Sequence, residues 1–317
     1  MTSEAIVVGC GISGLTCGIA LLEAGVPVTI VARDLPPHTT SDVAAAIWYP
    51  YRAFPERRVL EWGRVTLDTL YDLMTDPAAG VRRVTMTELF ERATPDPWWK
   101  DAVRIFGRAT GAELPPGYVD GYRVEVPLIE TPVHMRYLMH RFRSLGGRLE
   151  QRSVRSLAEL YRDGRVIVTC AGVWAGELAA DDSVFPIRGQ ALRVRAPGIE
   201  RGLVEQSGAL ALSYVVPRTS DCILGGTADE HDWSLAADPD TSAQILRRCN
   251  RLVPALAGAE VIEAVVGLRP GRREVRLERE SVSQDCAVIH NYGHGGAGFT
   301  LAWGCAREVV ELARERR

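Results

Sequence analysis

Two glycine loops and one arginine are the parts of this sequence whose types and spacing could do chemistry. The first loop, Gly9-Cys10-Gly11-Ile12-Ser13-Gly14, follows an apolar run, Ala5 to Val8, that reads as a short buried strand. A helix is expected after it from about Leu15 to Ala24, and a second strand from Val26 to Val31. In that setting G-x-G-x-x-G binds a dinucleotide. Gly9 permits the tight turn, Gly11 lets the backbone approach a pyrophosphate, and Gly14 lets the helix pack on the strand. The helix N-terminus then meets the phosphates with its positive end. Arg33 and Asp34 come next, and either could reach the adenosine ribose, so these residues alone do not separate NAD from FAD. Thr39, Thr40 and Ser41, ahead of a helix-starting Asp42, offer either phosphate and sugar donors or a simple helix cap.

The second loop runs His290-Asn291-Tyr292-Gly293-His294-Gly295-Gly296-Ala297-Gly298-Phe299-Thr300, directly before a last helix expected from about Leu301. The arginine is Arg269, in Gly267-Leu268-Arg269-Pro270. A guanidinium fork holds a carboxylate at two points. With Arg272, Arg273, Arg276 and Arg279 close by, the residue on its own reads as one of several surface arginines. Arg276 alternates with Val275 and Leu277 and shares a face with Glu274 and Glu278, as in a solvated charge ladder. Tyr214, in Ser213-Tyr214-Val215-Val216-Pro217, reads by itself as a half-buried strand residue.

The elements that must position these residues are legible in outline. Helices are expected at Arg58 to Met74, Glu130 to Leu145 and about Thr241 to Leu252. Between the first two lies a proline-bearing excursion with short strands. Val166 to Thr169 is a buried strand ending in the turn Cys170-Ala171-Gly172-Val173-Trp174-Ala175. Short strands dominate from Ile187 to Ile223 and return at Val261 to Val266, Val275 to Leu277 and Ala287 to Asn291. The chain has 317 residues, 46% hydrophobic and 24% charged, ample for two interleaved domains. Its 37 basic and 40 acidic side chains give a net charge of -3, which argues against nucleic acid as a partner. No apolar run suits a membrane span, no signal peptide is read at the start, and a cytoplasmic protein is expected. Seven scattered cysteines lack metal spacing, so no metal site is expected; reduced buried thiols are favoured, with one disulfide left open.

Several strings in order carry a resemblance: IVVGCGISGL, TTSDVAAAIWYPY, VTCAGVWAGEL, PIRGQ, SYVVP, LGGT, GLRPGRREVRLERE and VIHNYGHGGAGFTLAWGCA. Through them the chain resembles the D-amino-acid oxidase family over nearly its whole length. The implied fold is α/β: a doubly wound, Rossmann-like FAD-binding domain interleaved with an α+β substrate domain containing a large mixed sheet. The division expected is 1–75, 140–186 and 262–317 for the FAD domain, and 76–139 with 187–261 for the substrate domain. The resemblance implies non-covalent FAD, held by the first loop, by Arg33, Asp34, Thr39, Thr40, Ser41 and Gly172, and by the second loop from Gly293 and Gly295 to Thr300. It places Arg276 near the flavin edge, where the residues themselves suggest only a charge ladder.

The implied reaction is oxidation of a D-amino acid by hydride transfer to the flavin, with oxygen as acceptor and hydrogen peroxide as product. Arg269 and Tyr214 would hold the substrate carboxylate and the Gly296 carbonyl its amine, with Ile47, Tyr49, Tyr51 and Val216 as pocket wall. Arg273 stands where the family pattern commonly has proline. A D-aspartate oxidase would need an added cation, yet Ala228 follows Gly226-Thr227 where acidic-substrate relatives carry an arginine, and Gln206 to Leu212 is free of basic residues. Neutral substrates are therefore favoured, unless Arg218 turns inward. A glycine or sarcosine oxidase, a dehydrogenase with another acceptor and a catalytically silent flavoprotein are the alternatives. A homodimer is the candidate assembly.

Overall fold

The computed structural model describes residues 4–162, 164–196, 198–283 and 286–315. The chain opens with β1 (Glu4–Val8), α1 (Ile12–Glu23), β2 (Val28–Ala32) and α2 (Glu56–Leu73). It leaves for β3 (Val81–Phe90), β4 (Ile105–Arg108) and β5 (Asp120–Ile129), and returns through α3 (Thr131–Ser144), β6 (Arg148–Gln151), β7 (Arg165–Thr169) and α4 (Ala175–Leu178). A second excursion makes β8 (Phe185–Arg195), β9 (Gly202–Glu205), β10 (Ser213–Pro217), β11 (Cys222–Gly225), β12 (Asp229–Glu230), α5 (Pro239–Leu252) and β13 (Glu260–Gly271). The chain ends with β14 (Arg276–Ser281), β15 (Cys286–Tyr292) and α6 (Gly298–Arg314).

Two sheets result. The six-stranded sheet has the order β14-β15-β7-β1-β2-β6. Its inner strands are parallel and buried along their length, as in β2, so they read as apolar runs rather than alternations. The nine-stranded sheet follows β12-β8-β11-β10-β9-β3-β5-β4, with β13 on the other flank of β8. It is mixed: β3 and β9 run parallel, and the remaining pairs are antiparallel. Helices α1, α2, α3 and α6 stack on the six-stranded side, with Leu15, Ile19, Phe142, Leu301 and Cys305 fully buried. All seven cysteines are buried free thiols. Among the described residues no helix is long and apolar enough to cross a membrane.

Several boundaries differ from the sequence expectation. α1 begins at Ile12, not Leu15, because extended Gly11 (φ -76, ψ -171) already serves as its N-cap. α6 likewise begins at Gly298, inside the run read as loop. Asp42 starts no helix; it folds back to accept from the Thr39 amide at 2.9 Å and hydroxyl at 2.6 Å. Arg269 lies within a strand: β13 continues to Gly271 because β8 pairs with it as far as Gly271↔Phe185. Position 262 falls inside β13, and position 140 inside α3, which packs on α1.

Candidate functional site

A cavity of about 980 Å³ runs between the two sheets. That is the upper range of cofactor and ligand pockets, about 300–1,000 Å³. Its first end is built from backbone. Gly9 has φ +110, and a Cβ there would stand 2.4 Å from the Cys170 carbonyl oxygen. A Cβ at Gly14 would stand 2.0 Å from the Gly9 oxygen. The turn therefore closes only with glycine at both places, and α1 starts pressed against it. Neither α1 nor α6 has a cap from its own N-cap side chain, so both expose backbone N–H groups. Ser41 reaches across to accept from the Ile12 amide at 2.9 Å. Both N-termini line the same cavity, through Gly11, Ile12 and Ser13 on α1 and Gly296, Gly298 and Phe299 on α6. Two positive helix ends aimed into one space suit an anionic ligand.

Arg33, Asp34, Thr39, Thr40 and Ser41 ring this end, with Gly172 opposite. Arg33 and Asp34 pair with each other at 2.7 Å, and the Arg33 guanidinium lies 4.7 Å from the Trp174 ring centre. Five of the expected cofactor residues stand back from the cavity: Gly14 beneath the turn, Gly293 against Arg272, Ala297 in the helix cap, Thr300 and Arg276. Thr300 instead holds the Tyr49 backbone, accepting from its amide at 3.0 Å and donating to its carbonyl at 2.8 Å. Arg276 sits in a polar cluster outside the cavity lining. It donates to Glu278 at 2.7 Å and to the Tyr292 hydroxyl at 2.6 Å, with Asp181 and Glu280 at 3.6 Å each. The partners on β14 are those of a charge ladder, and Tyr292 and Asp181 join it from neighbouring elements.

The other end is built from side chains on one face of the nine-stranded sheet. Residues paired across strands share a face, and so do residues two apart. Val204 pairs with Tyr214, Tyr214 with Gly225, Gly225 with Ala191, and Ala191 with Val265. Val204, Tyr214, Ala191 and Val265 of this row, with Gly189, Gln206, Val216, Gly267 and Arg269 from the same face, line the cavity. Two glycines make room. A Cβ on Gly189 would meet the Arg269 guanidinium at 2.3 Å, and one on Gly225 would meet the Tyr214 ring at 1.8 Å.

Arg269 donates to the Thr227 carbonyl at 3.0 Å, and among the described residues no carboxylate pairs with it. Its neighbours differ: Arg188, Arg193, Arg218, Arg272 and Arg276 all have acidic partners. Arg218 does not turn inward, since Asp221 takes it at 2.6 Å. Burial pushes the Tyr214 hydroxyl above its ordinary range, and the Arg269 charge beside it opposes the rise. Ile47, Tyr49, Tyr51 and Val216 all line the cavity, and the Tyr51 ring covers Gly296, where a Cβ would stand 2.4 Å from it.

Sequence reasoning missed Gly189, Val204, Gln206 and Thr227. The glycine inside Pro186 to Gln190 was a usable signal, because glycine within a strand marks a close approach. Nothing local distinguishes Val204 or Gln206; their role comes from register.

Comparison with known proteins agrees with this geometry. A family model described as FAD dependent oxidoreductase matches residues 4–312. A D-amino-acid oxidase of Rubrobacter xylanophilus is 52% identical over 314 residues, covering 99% of this chain and 96% of that protein. A human D-aspartate oxidase is 37% identical over 328 residues, covering 99% and 95%. In fold, the chain superimposes on the crystal structure of a glycine oxidase from Geobacillus kaustophilus with a TM-score of 0.84 at 19% identity, covering 99% of this chain and 95% of that one.

Proposed function

We propose, from the premise that the chain belongs to the FAD-dependent oxidoreductase family, that it oxidises neutral D-amino acids. The overall reaction converts amino acid, oxygen and water to a 2-oxo acid, ammonia and hydrogen peroxide. FAD is the cofactor, and the residues present fit it: the glycine turn closes against Cys170, and two helix N-termini without a cap from their own N-cap side chains meet in one long cavity. Bound there, FAD supplies the two-electron acceptor for the hydride that leaves the substrate α-carbon.

The observation that carries the substrate reading is Arg269: a half-buried guanidinium on the cavity wall, beside Tyr214, with no carboxylate partner among the described residues. Such a group is completed by an anion from outside the chain. Arg269 and Tyr214 fix the substrate carboxylate, and the carbonyl of Gly296, a residue of the cavity lining, accepts from the amine. Orientation is then the protein's main contribution, and no side-chain base is required of an amine that arrives neutral. Neutral side chains are favoured because Ile47, Tyr49, Tyr51, Val204, Leu212 and Val216 line the remaining space without a cation among them. The second carboxylate of D-aspartate would find no partner there.

The same reading makes oxygen the acceptor and the cytoplasm the compartment, in keeping with seven free thiols. A homodimer is the proposed assembly. The domain division follows the sheets, with the last boundary after Gly271 rather than at 262, so that β13 stays whole. One experiment tests the core of this. The flavin band is followed without air while D-valine, and separately L-valine, is added. Bleaching by the D form alone, reversed by air, is expected. No bleaching by either, with flavin bound, would remove the neutral-substrate assignment.

A further inference from the structure

A buried carboxylate that the reaction does not use lies beside the substrate face. Glu88, on β3, is 6% exposed and pairs across strands with Tyr122 on one side and Val204 on the other. Val204 in turn pairs with Tyr214. Tyr122, Glu88, Val204 and Tyr214 therefore stand in one row on one face, with Glu88 two strands from Tyr214, about 10 Å at the usual strand spacing. A substrate held by its carboxylate at Arg269 and Tyr214, with its side chain laid along this row, would pass Val204 and reach Glu88.

Three hydrogen bonds converge at this end. The Tyr49 hydroxyl donates to Glu88 Oε2 at 2.6 Å, and the Tyr122 hydroxyl donates to the same oxygen at 2.5 Å. The Gln206 amide donates to the Tyr49 hydroxyl at 2.6 Å. Burial and the neighbouring Glu88 charge push the Tyr49 hydroxyl far above its ordinary range, so the phenol keeps its proton and the carboxylate accepts. Burial raises Glu88 as well, and the hydrogen bonds from Tyr122, Tyr49 and Gln206 oppose that rise. Glu205, next to Gln206, adds a second buried carboxylate, held by the Tyr118 hydroxyl at 2.6 Å. The cavity's arginines lie elsewhere: Arg269 at the carboxylate end, and Arg33, Arg152 and Arg155 beside the dinucleotide turn.

We infer that Glu88, acting through Tyr49 and Gln206, is the specificity-determining residue that closes the side-chain end of the pocket to carboxylates while admitting neutral chains that end in hydrogen-bond donors. This rests on the D-amino-acid oxidase reading of the same site and adds which residue refuses the acidic substrate. Glu88 is a positioning residue, since Tyr49 and Gln206 stand between it and the substrate.

D-Glutamine and D-glutamate have nearly the same shape and differ in charge, so their ratio of kcat/KM isolates the effect from packing. Where turnover is slow, the ratio of their Ki values against D-leucine serves instead. The holoenzyme is expected to favour D-glutamine, and Glu88→Gln to shift the ratio toward D-glutamate by about tenfold, as loss of one unit charge at low dielectric implies. D-Leucine is expected to change little. If Glu88→Gln binds little flavin, Gln206→Arg, at a half-buried strand end, places a cation at the same point and is expected to shift the ratio the same way. Parallel losses for both substrates, or an unmoved ratio in both variants, would overturn the inference and leave Glu88 a packing group. Failure of every D-amino acid to bleach bound flavin in the parent protein would instead sink the reading beneath it, and this inference with it.

Discussion

The two ends of the cavity are made of different material. At the dinucleotide end the working groups are backbone: the Gly9 turn, the amides of α1 and α6, and glycines where a side chain would collide. At the substrate end they are side chains, Arg269 and Tyr214, set on a sheet face by pairing among strands far apart in sequence. A backbone site is local and all-or-none, because its geometry is the geometry of a turn. A side-chain site is assembled from five strands and can be tuned one group at a time.

Substitutions should separate the two ends by what they lose. The largest effect is expected at the turn. In Gly14→Ala the new methyl would stand 2.0 Å from the Gly9 oxygen and 2.8 Å from its carbonyl carbon, backbone atoms that cannot swing aside. The purified protein is expected to lose its visible flavin band and to melt several degrees lower. Full flavin occupancy would break the claim that this end is built by backbone fit. Arg269→Ala should do the reverse: flavin stays, while kcat/KM falls on the order of 10²–10³, as removal of a charged hydrogen-bonding partner commonly costs 2–5 kcal/mol. The loss should lie mainly in KM. Flavin loss with KM unchanged would place Arg269 at the wrong end.

Gly189→Ala probes how finely the substrate end is tuned. The added methyl meets the guanidinium 2.3 Å away, and this time the obstacle is the tip of a long side chain that can move aside. Flavin content should hold while KM for D-valine rises about tenfold, roughly 1.4 kcal/mol of lost carboxylate contact. An unchanged KM would mean that Arg269 reaches the substrate by a route that does not cross β8.

The same contrast explains what could be read in advance. Gly9, Gly11 and Gly14 announce themselves because a turn needs fixed residues at fixed spacing, and the strands around them are continuous apolar runs. Their exact helix starts were misplaced by three residues, since glycine at Gly298 and in the first turn of α1 looks like loop while it is already helical. Arg269 was legible only through family resemblance, because five arginines between 269 and 279 look alike in sequence. What distinguishes it is its place on the cavity wall with no acidic partner among the described residues, a property of the fold; Arg273 and Arg279 also lack one but do not line the cavity. Arg276 shows the converse: resemblance drew it toward the cofactor, while the fold sets its guanidinium among Glu278, Glu280 and Asp181. Gly189, Val204 and Gln206 enter through register, which follows from no single stretch of chain.

The smallest expected change is the most discriminating. Tyr214→Phe keeps the ring that Gly225 was vacated to admit, and it removes one oxygen. The hydroxyl stands beside the Arg269 charge, and no carbonyl or carboxylate of the described residues accepts a hydrogen bond from it. A substrate carboxylate held by both groups would lose its weaker contact while keeping the charge of Arg269. A hydrogen bond to a charged group contributes about 1.5–3 kcal/mol at most, and part of that is recovered because Arg269 remains. We therefore expect KM for D-valine to rise about five- to tenfold, with kcat within about threefold and the melting temperature unchanged or slightly higher. A fall in kcat with KM unchanged would show that Tyr214 acts on the reacting carbon rather than on the carboxylate, and would move the chemistry of this end from anchoring to catalysis.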